Sequence, residues 1–226
     1  MKKLIIFGID DMAEVAKFFF DNDSEYRVEA FTVDREYRKR DTFCELPVYD
    51  FEDIERKFST DEYEMFIAIG YSHVNKIREE KYNAAKQKGY KLASYISSHI
   101  TCWIDKEQIG DNCFILEDNT IQPFVQIGDN VVLWSGNHIG HHARIGNHVF
   151  ITSHTVLSGR TCVGDNCFIG VNATVNDHVT IAAGCVIGSG ALITRDTEPG
   201  AVYKNQYTSK YIKTSNELNY FKSHNE

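Results

Sequence analysis

No apolar run in this sequence approaches the roughly 20 residues a membrane-spanning helix needs. The opening MKKLIIFGIDDM has two lysines and an apolar stretch. Asp10 and Asp11 interrupt that stretch after about six residues, which is short for a secretory h-region. A cytoplasmic protein with reduced thiols is therefore expected, and none of the six cysteines (Cys44, Cys102, Cys113, Cys162, Cys167, Cys185) forms a Cys-x-x-Cys pair. Positive charge is also short: 24 Lys and Arg face 32 Asp and Glu, a formal net charge of −8. Such a surface does not attract a phosphate backbone or an anionic bilayer, so neither nucleic acid nor membrane is the expected partner. A G-x-G-x-x-G fingerprint is missing as well. The turn Gly8-Ile9-Asp10-Asp11 would set carboxylates where a dinucleotide's pyrophosphate lies, which disfavours NAD. Small molecules of another kind are left as ligands.

What is present divides the chain in two. Over residues 1–97 the pattern is strand, turn, helix. An apolar run at residues 3–8 ends in Gly8, and a helical stretch follows from Asp11 to Phe20, with Asp10 or Asp11 placed to cap it. A strand over Val28–Val33 ends at Asp34, and MFIAIG ends at Gly70 before a helix from about Val74 to Lys88. A short strand, KLASYI, closes this half. The alternation implies an α/β domain with a Rossmann-like parallel sheet, whose ligand crevice lies at the carboxyl ends of the strands, here Gly8, Asp34 with Arg35, and Gly70.

From residue 98 to 200 helical periodicity gives way to a period of six. Ile109, Ile115, Ile121, Ile127, Leu133, Ile139, Ile145, Ile151, Leu157, Val163, Ile169, Val175, Ile181, Ile187 and Ile193 stand six apart without a break. Gly follows the aliphatic residue at 110, 128, 140, 146, 164, 170 and 188, suiting a turn that is crowded or has positive φ. Four positions after the aliphatic residue the side chain is small, apart from Asn119 and Asn137. Three flat faces meeting at tight corners require such a pattern, with a large residue pointing inward and a small one filling each corner. Eighteen residues make one coil, and five coils stacked at about 4.8 Å give a prism roughly 24 Å tall. Cys167 and Cys185 should stack as unpaired interior thiols. Residues 201–226 form a C-terminal tail.

The repeat resembles that of acyltransferases built on a left-handed parallel β-helix. The first half (IIFGIDDMAEVAKFF, EAFTVDREY, MFIAIGYS) is similar to the sugar acetyltransferases of bacterial surface-glycan synthesis, of the PglD and NeuD types. This resemblance implies an acetyl-CoA-dependent N-acetyltransferase for a nucleotide-linked amino sugar, feeding lipopolysaccharide or other surface glycans, cytoplasmic and homotrimeric, with acetyl-CoA between neighbouring β-helices. In Ile139-Gly140-His141-His142-Ala143-Arg144 the family's catalytic base falls on His141, and one coil on Gly159 supplies an oxyanion-binding N–H. Gly170, Val171, Gly188 and Ser189 match the segments lining the pantetheine and adenine. The tail departs from the family's Gly-x-Pro-Ala-Lys, so the 3′-phosphate contact falls to Lys204, Lys210 or Lys213. The sugar nucleotide would meet Gly8, Asp10, Asp34, Arg35, Gly70, Trp134 and His142. Asp34 can accept a hydrogen bond from a pyrimidine imide. Trp134 stands where PglD-type members carry Asn.

The residue types suit the chemistry. A neutral imidazole takes the nucleophile's proton near neutrality, and a fixed N–H stabilises the developing oxyanion. No covalent acyl-enzyme is needed, so the want of an activated Ser or Cys motif is no objection. Other readings stay open. His138, His142 and His154 suit subunit contacts or supporting hydrogen bonds, and Asp34 suits a turn. A sialic-acid-type O-acetyltransferase keeps the same base, and a β-helix protein without catalysis keeps only the scaffold. A zinc site of the γ-carbonic anhydrase type needs a His pair five residues apart, which the repeat lacks, so no metal is expected.

Overall fold

The alternating first half forms a five-stranded sheet in the computed structural model, which describes residues 1–206, 208–210 and 212–217. Residues 207, 211 and 218–226 of the expected tail lie outside the described residues. The strands are β1 (Lys2–Phe7), β2 (Tyr26–Val33), β3 (Thr42–Phe43), β4 (Leu46–Asp50) and β5 (Tyr63–Ile67), in the order β3-β4-β2-β1-β5. All neighbours run parallel except β3 and β4. Helix α1 (Asp11–Asn22) begins as expected: the Asp10 carboxylate accepts a hydrogen bond from the Ala13 N–H at 3.3 Å. Helix α2 spans Lys76–Gln87, starting later than Val74 because His73, Val74 and Asn75 all have positive φ.

The second half is the left-handed β-helix. Its first face starts at β6 (Tyr95–Ile96) and passes through the strands at 114–115, 132–133, 150–151, 168–169, 186–187 and 202–203. The second face holds the strands at 101–102, 120–121, 138–139, 156–157, 174–175 and 192–193, and the third those at 126–127, 144–145, 162–163 and 180–181. Partners in adjacent coils lie eighteen residues apart, as in Val132↔Phe150 and His138↔Val156. The first coil is one residue longer: Ile96 pairs with Ile115 and Cys102 with Ile121. That extra residue takes Ile96 and Cys102 out of the six-residue register, so the prism begins before the repeat becomes readable.

The aliphatic column and the small-residue column together make a continuous buried core, and all six cysteines are free thiols. Asn119 and Asn137, 0% and 1% exposed, occupy a corner where small residues are the rule. Asn119 Nδ2 donates to the Leu116 and Trp134 carbonyls, the Asn137 N–H donates to Asn119 Oδ1, and the Thr155 N–H donates to Asn137 Oδ1. This ladder meets the hydrogen-bonding needs of the buried amides and of the turn.

The glycines after the aliphatic positions answer to crowding and not to backbone sign. None of them has positive φ, which falls three residues after the aliphatic position, at Asn112, Asn130, His142, His148, His154, Arg160, Asn166 and others. A β-carbon on Gly140 would come within 2.6 Å of the Gly159 nitrogen.

The α/β domain covers the first face. Phe114, Phe150 and Val132 share a core with Phe20, Phe31, Phe66 and Tyr95. Helix α2 sits on the prism edge between the third and first faces. There the Ile67 N–H donates to Asn112 Oδ1, Asn112 Nδ2 to Asn130 Oδ1, and Asn130 Nδ2 to His148 Nδ1 at 2.9 Å. Burial lowers the His148 pKa, in keeping with a ring nitrogen that must accept. Arg78 is wholly buried on the same edge, donates to the His148 carbonyl at 2.9 Å and lies over the Phe150 ring; desolvation lowers its pKa to about 9.

Candidate active site

The edge between the second and third faces carries His141. Its backbone is held from both neighbouring coils: the N–H donates to Gln122 Oε1 at 2.8 Å, and the carbonyl accepts the Arg160 N–H at 2.8 Å. The imidazole reaches toward Gly159, where a β-carbon would lie 2.7 Å from both Cε1 and Nε2. Ser158 N–H donates to the Val175 carbonyl and Arg160 N–H to that of His141, whereas the Gly159 N–H donates to no group among the described residues. On the edge between the third and first faces some of the corresponding amides are capped: Asp111 by Asp129, Asp129 by Asn147 and Asn147 by Asp165. The sequence thus places a ring nitrogen and an uncommitted amide beside each other on an open edge.

His142 belongs to the same cluster. Its Nδ1 lies 3.1 Å from His141 Nδ1, the two rings are perpendicular, and its other side packs on Phe124 with centroids 4.6 Å apart. Desolvation, with Arg160 and His141 adding repulsion, lowers the His142 pKa. Gln122 and Phe124 were not singled out from sequence. They stand one coil before His141 and His142: Phe124 is eighteen residues back from His142 and Gln122 nineteen back from His141, on either side of Pro123.

The expected cofactor residues stack on the next edge, between the first and second faces. A β-carbon on Gly170 would meet the Ser189 nitrogen at 2.5 Å, and one on Gly188 would lie 3.4 Å from the Lys204 α-carbon. Gly170, Gly188, Ser189 and Lys204 therefore form one column in which small residues leave the backbone open to a long ligand. Trp134 lies in that column too, two coils before Gly170.

The ends of β1, β2 and β5 adjoin, which gathers Gly8, Asp34 and Gly70 at one rim of the sheet. Gly70, Trp134 and Val171 line a shared, mainly apolar cleft of about 380 Å³ together with Met12, Tyr71 and Phe150. The remaining expected contacts already have protein partners. Asp10 caps α1. Asp34 Oδ2 pairs with Lys81 Nζ at 2.9 Å, both largely shielded. Arg35 pairs with Asp50 at 3.0 Å and Asp53 at 2.9 Å. Within the chain His141 does not meet Trp134 or Gly70: the width of the second face separates the two edges. Among the described residues no group of three or more His, Cys, Asp or Glu side chains is arranged to hold a metal ion, and no helix is long and apolar enough to cross a membrane.

The fold and this edge define a hexapeptide-repeat left-handed β-helix protein with an appended α/β domain. The family described as bacterial transferase hexapeptide (six repeats) matches residues 108–140, 127–159 and 163–195. Among solved structures, the chain is similar to PerB from Caulobacter crescentus in complex with CoA and GDP-perosamine (22% identity, TM-score 0.77, 91% of this chain and 95% of that one). It is also similar to the acetyltransferase domain of PglB from Neisseria gonorrhoeae FA1090 (20%, 0.74, 91% and 97%) and to WeeI from Acinetobacter baumannii AYE (19%, 0.66, 89% and 96%). No curated protein matches the sequence.

Proposed function

We propose that the protein is an acyltransferase that moves the acetyl group of acetyl-CoA to the amino group of a nucleotide-linked 6-deoxy amino sugar, in the cytoplasm, for surface-glycan assembly. The observation that carries this reading is the juxtaposition of His141 Nε2 with the uncommitted Gly159 amide. His141 takes the proton as the sugar nitrogen bonds to the thioester carbonyl carbon, and the Gly159 N–H donates to the oxygen as it gains charge. The C–S bond then breaks, and the proton held on His141 passes to the leaving thiolate.

Gly170, Val171, Gly188 and Ser189, with Lys204 beyond them, line the cofactor's path. The loops at Gly8, Asp10, Asp34, Arg35 and Gly70, with Trp134, face the sugar nucleotide. Similarity to a structure holding CoA and GDP-perosamine and to an acetyltransferase domain bound to acetyl coenzyme A supports the pairing of substrates. The base and the cleft lie on different edges of one prism, which supports a homotrimer in which one subunit's His141 edge faces a neighbour's Gly170–Gly188 column.

The test is thiol release from acetyl-CoA in the presence of nucleotide-linked 4-amino and hydroxy sugars. His141→Ala is expected to lose at least about 100-fold in kcat. Full turnover by that variant would overturn the site, and turnover only with hydroxy sugars would overturn the choice of acceptor.

A further inference from the structure

His141 and His142 face each other through the same ring nitrogen, Nδ1, at 3.1 Å. Two neutral imidazoles in this arrangement share one hydrogen: one ring carries N–H at Nδ1 and the other accepts with a lone pair. The direction decides whether the pair can do base chemistry. If His142 donated, His141 would carry its hydrogen on Nε2, and the nitrogen facing Gly159 could take no proton. If His141 donates, its Nε2 keeps the lone pair.

We infer that His142 is the positioning residue of the base: its Nδ1 accepts the Nδ1–H of His141, fixing the tautomer in which His141 Nε2 is free to accept a proton. This rests on the acyltransferase reading above for its catalytic meaning, though the pairing itself does not.

Two observations beyond the distance support the assignment. Phe124 packs against the His142 ring at 4.6 Å and fixes its plane, although Phe124 itself sits at φ +68, a conformation bulky side chains rarely adopt. His142 is likewise left-handed, at φ +61, as the corner residues at this position of the repeat generally are. Its charged neighbours favour neutrality: Arg160, from the following coil, and His141 itself both act against a second positive charge, and desolvation acts in the same direction. A neutral histidine can accept at Nδ1, whereas a protonated one would leave two N–H groups pointing at each other.

The consequence for the reaction is specific. When His141 takes the nucleophile's proton on Nε2, its positive charge is stabilised by a neutral nitrogen. A carboxylate in the place of His142 would hold that charge more strongly and raise the His141 pKa. The pair therefore sets a neutral acceptor behind His141, and the proton taken on Nε2 passes on to the departing thiolate.

The test uses two variants of the full chain. His142→Phe keeps a ring for Phe124 and removes the nitrogen; His142→Asp keeps an acceptor, adds charge and tolerates positive φ. Nitrogen-15 NMR of histidine-labelled protein without substrates reads the tautomer of His141 directly. The Nδ1–H form is expected in the wild type and in His142→Asp, and the commoner Nε2–H form in His142→Phe. With acetyl-CoA and GDP-perosamine as probes, His142→Phe is expected to lose about 10- to 100-fold in kcat with little change in KM. His142→Asp is expected to move the acid limb of the kcat/KM profile upward by about one pH unit. A His141 ring that is Nε2–H in the wild type, or unchanged in His142→Phe, overturns the inference whatever the activity. A wild type with the expected tautomer that releases no thiol with these or related amino sugars overturns the acyltransferase reading and leaves the pairing standing.

Discussion

Gly159 lies one coil after His141 and so close to it that a β-carbon would stand 2.7 Å from the Nε2 and Cε1 atoms of the imidazole. The glycine is thus required by the ring as much as by the backbone: the two residues are complementary in shape.

Gly159→Ala is expected to push the imidazole aside and to lower kcat by about 100-fold or more, the scale of a misplaced base or a lost oxyanion donor. Because Gly159 has ordinary φ and lies on an open edge, the melting temperature should move by only a few degrees. Wild-type turnover in this variant would show that the edge is not the reacting centre.

Asn137→Ala is expected to destabilise the fold by about 1–3 kcal/mol, since it leaves the Thr155 N–H without its buried partner and the Trp134 carbonyl with Asn119 as its one remaining side-chain donor. Urea denaturation measures this. A change within a few tenths of a kcal/mol would mean that the buried asparagine ladder is replaceable by packing alone.

Asp23 joins the end of α1 to the first coil, accepting from Tyr95 Oη at 2.7 Å and the Ser98 N–H at 2.9 Å. Burial pushes its pKa up, but the hydrogen bonds from Ser98, Tyr95 and Ser97 outweigh this and bring it down to about 2. A folded value below the unfolded one of about 3.9 adds stability that is complete above pH 4 and is lost as pH falls through about 2. Asp23→Asn should therefore cost about 1–2 kcal/mol at neutral pH, allowing for partial exposure. In stability measured against pH, the gap from the wild type should close toward pH 2.

Burial raises the Cys113 and Cys167 thiols to about 12 and about 11. At pH 8 they should resist a disulfide reagent until the prism opens, whereas the partly exposed Cys102 and Cys162 react in the native protein. Mass spectrometry after timed labelling distinguishes the two sets; early modification of Cys113 would show that the first coil frays.

The prism was legible because its steric demand recurs every six residues: an inward aliphatic residue and a corner too tight for a large side chain. Its first coil was not, because one extra residue between Cys102 and Ile109 shifts the register. The short strands β3 and β4 were also missed. β3 has only two residues and depends on its antiparallel partner, and β4 carries a proline, Pro47, which speaks against a strand. The proximity of His141 to Gly159 followed from counting eighteen residues. The His141–His142 pairing did not, because it depends on a left-handed backbone at His142 and on a phenylalanine one coil away. The expected roles of Asp34 and Arg35 rested on their place after a strand, and sequence held no sign that Lys81, Asp50 and Asp53 would claim their charges.

The bond from Ile67 to Asn112 has a consequence for how the chain acquires its shape. It ties the last sheet strand of the first half to an early winding of the second, so the finished α/β domain can act as a template on which the prism is laid down. Each later winding then needs only the one beneath it, at a constant and modest loop closure. Growth should proceed from the amino-terminal end outward, and a lesion in an early winding should stall everything after it, while the same lesion near residue 193 should leave most of the prism assembled.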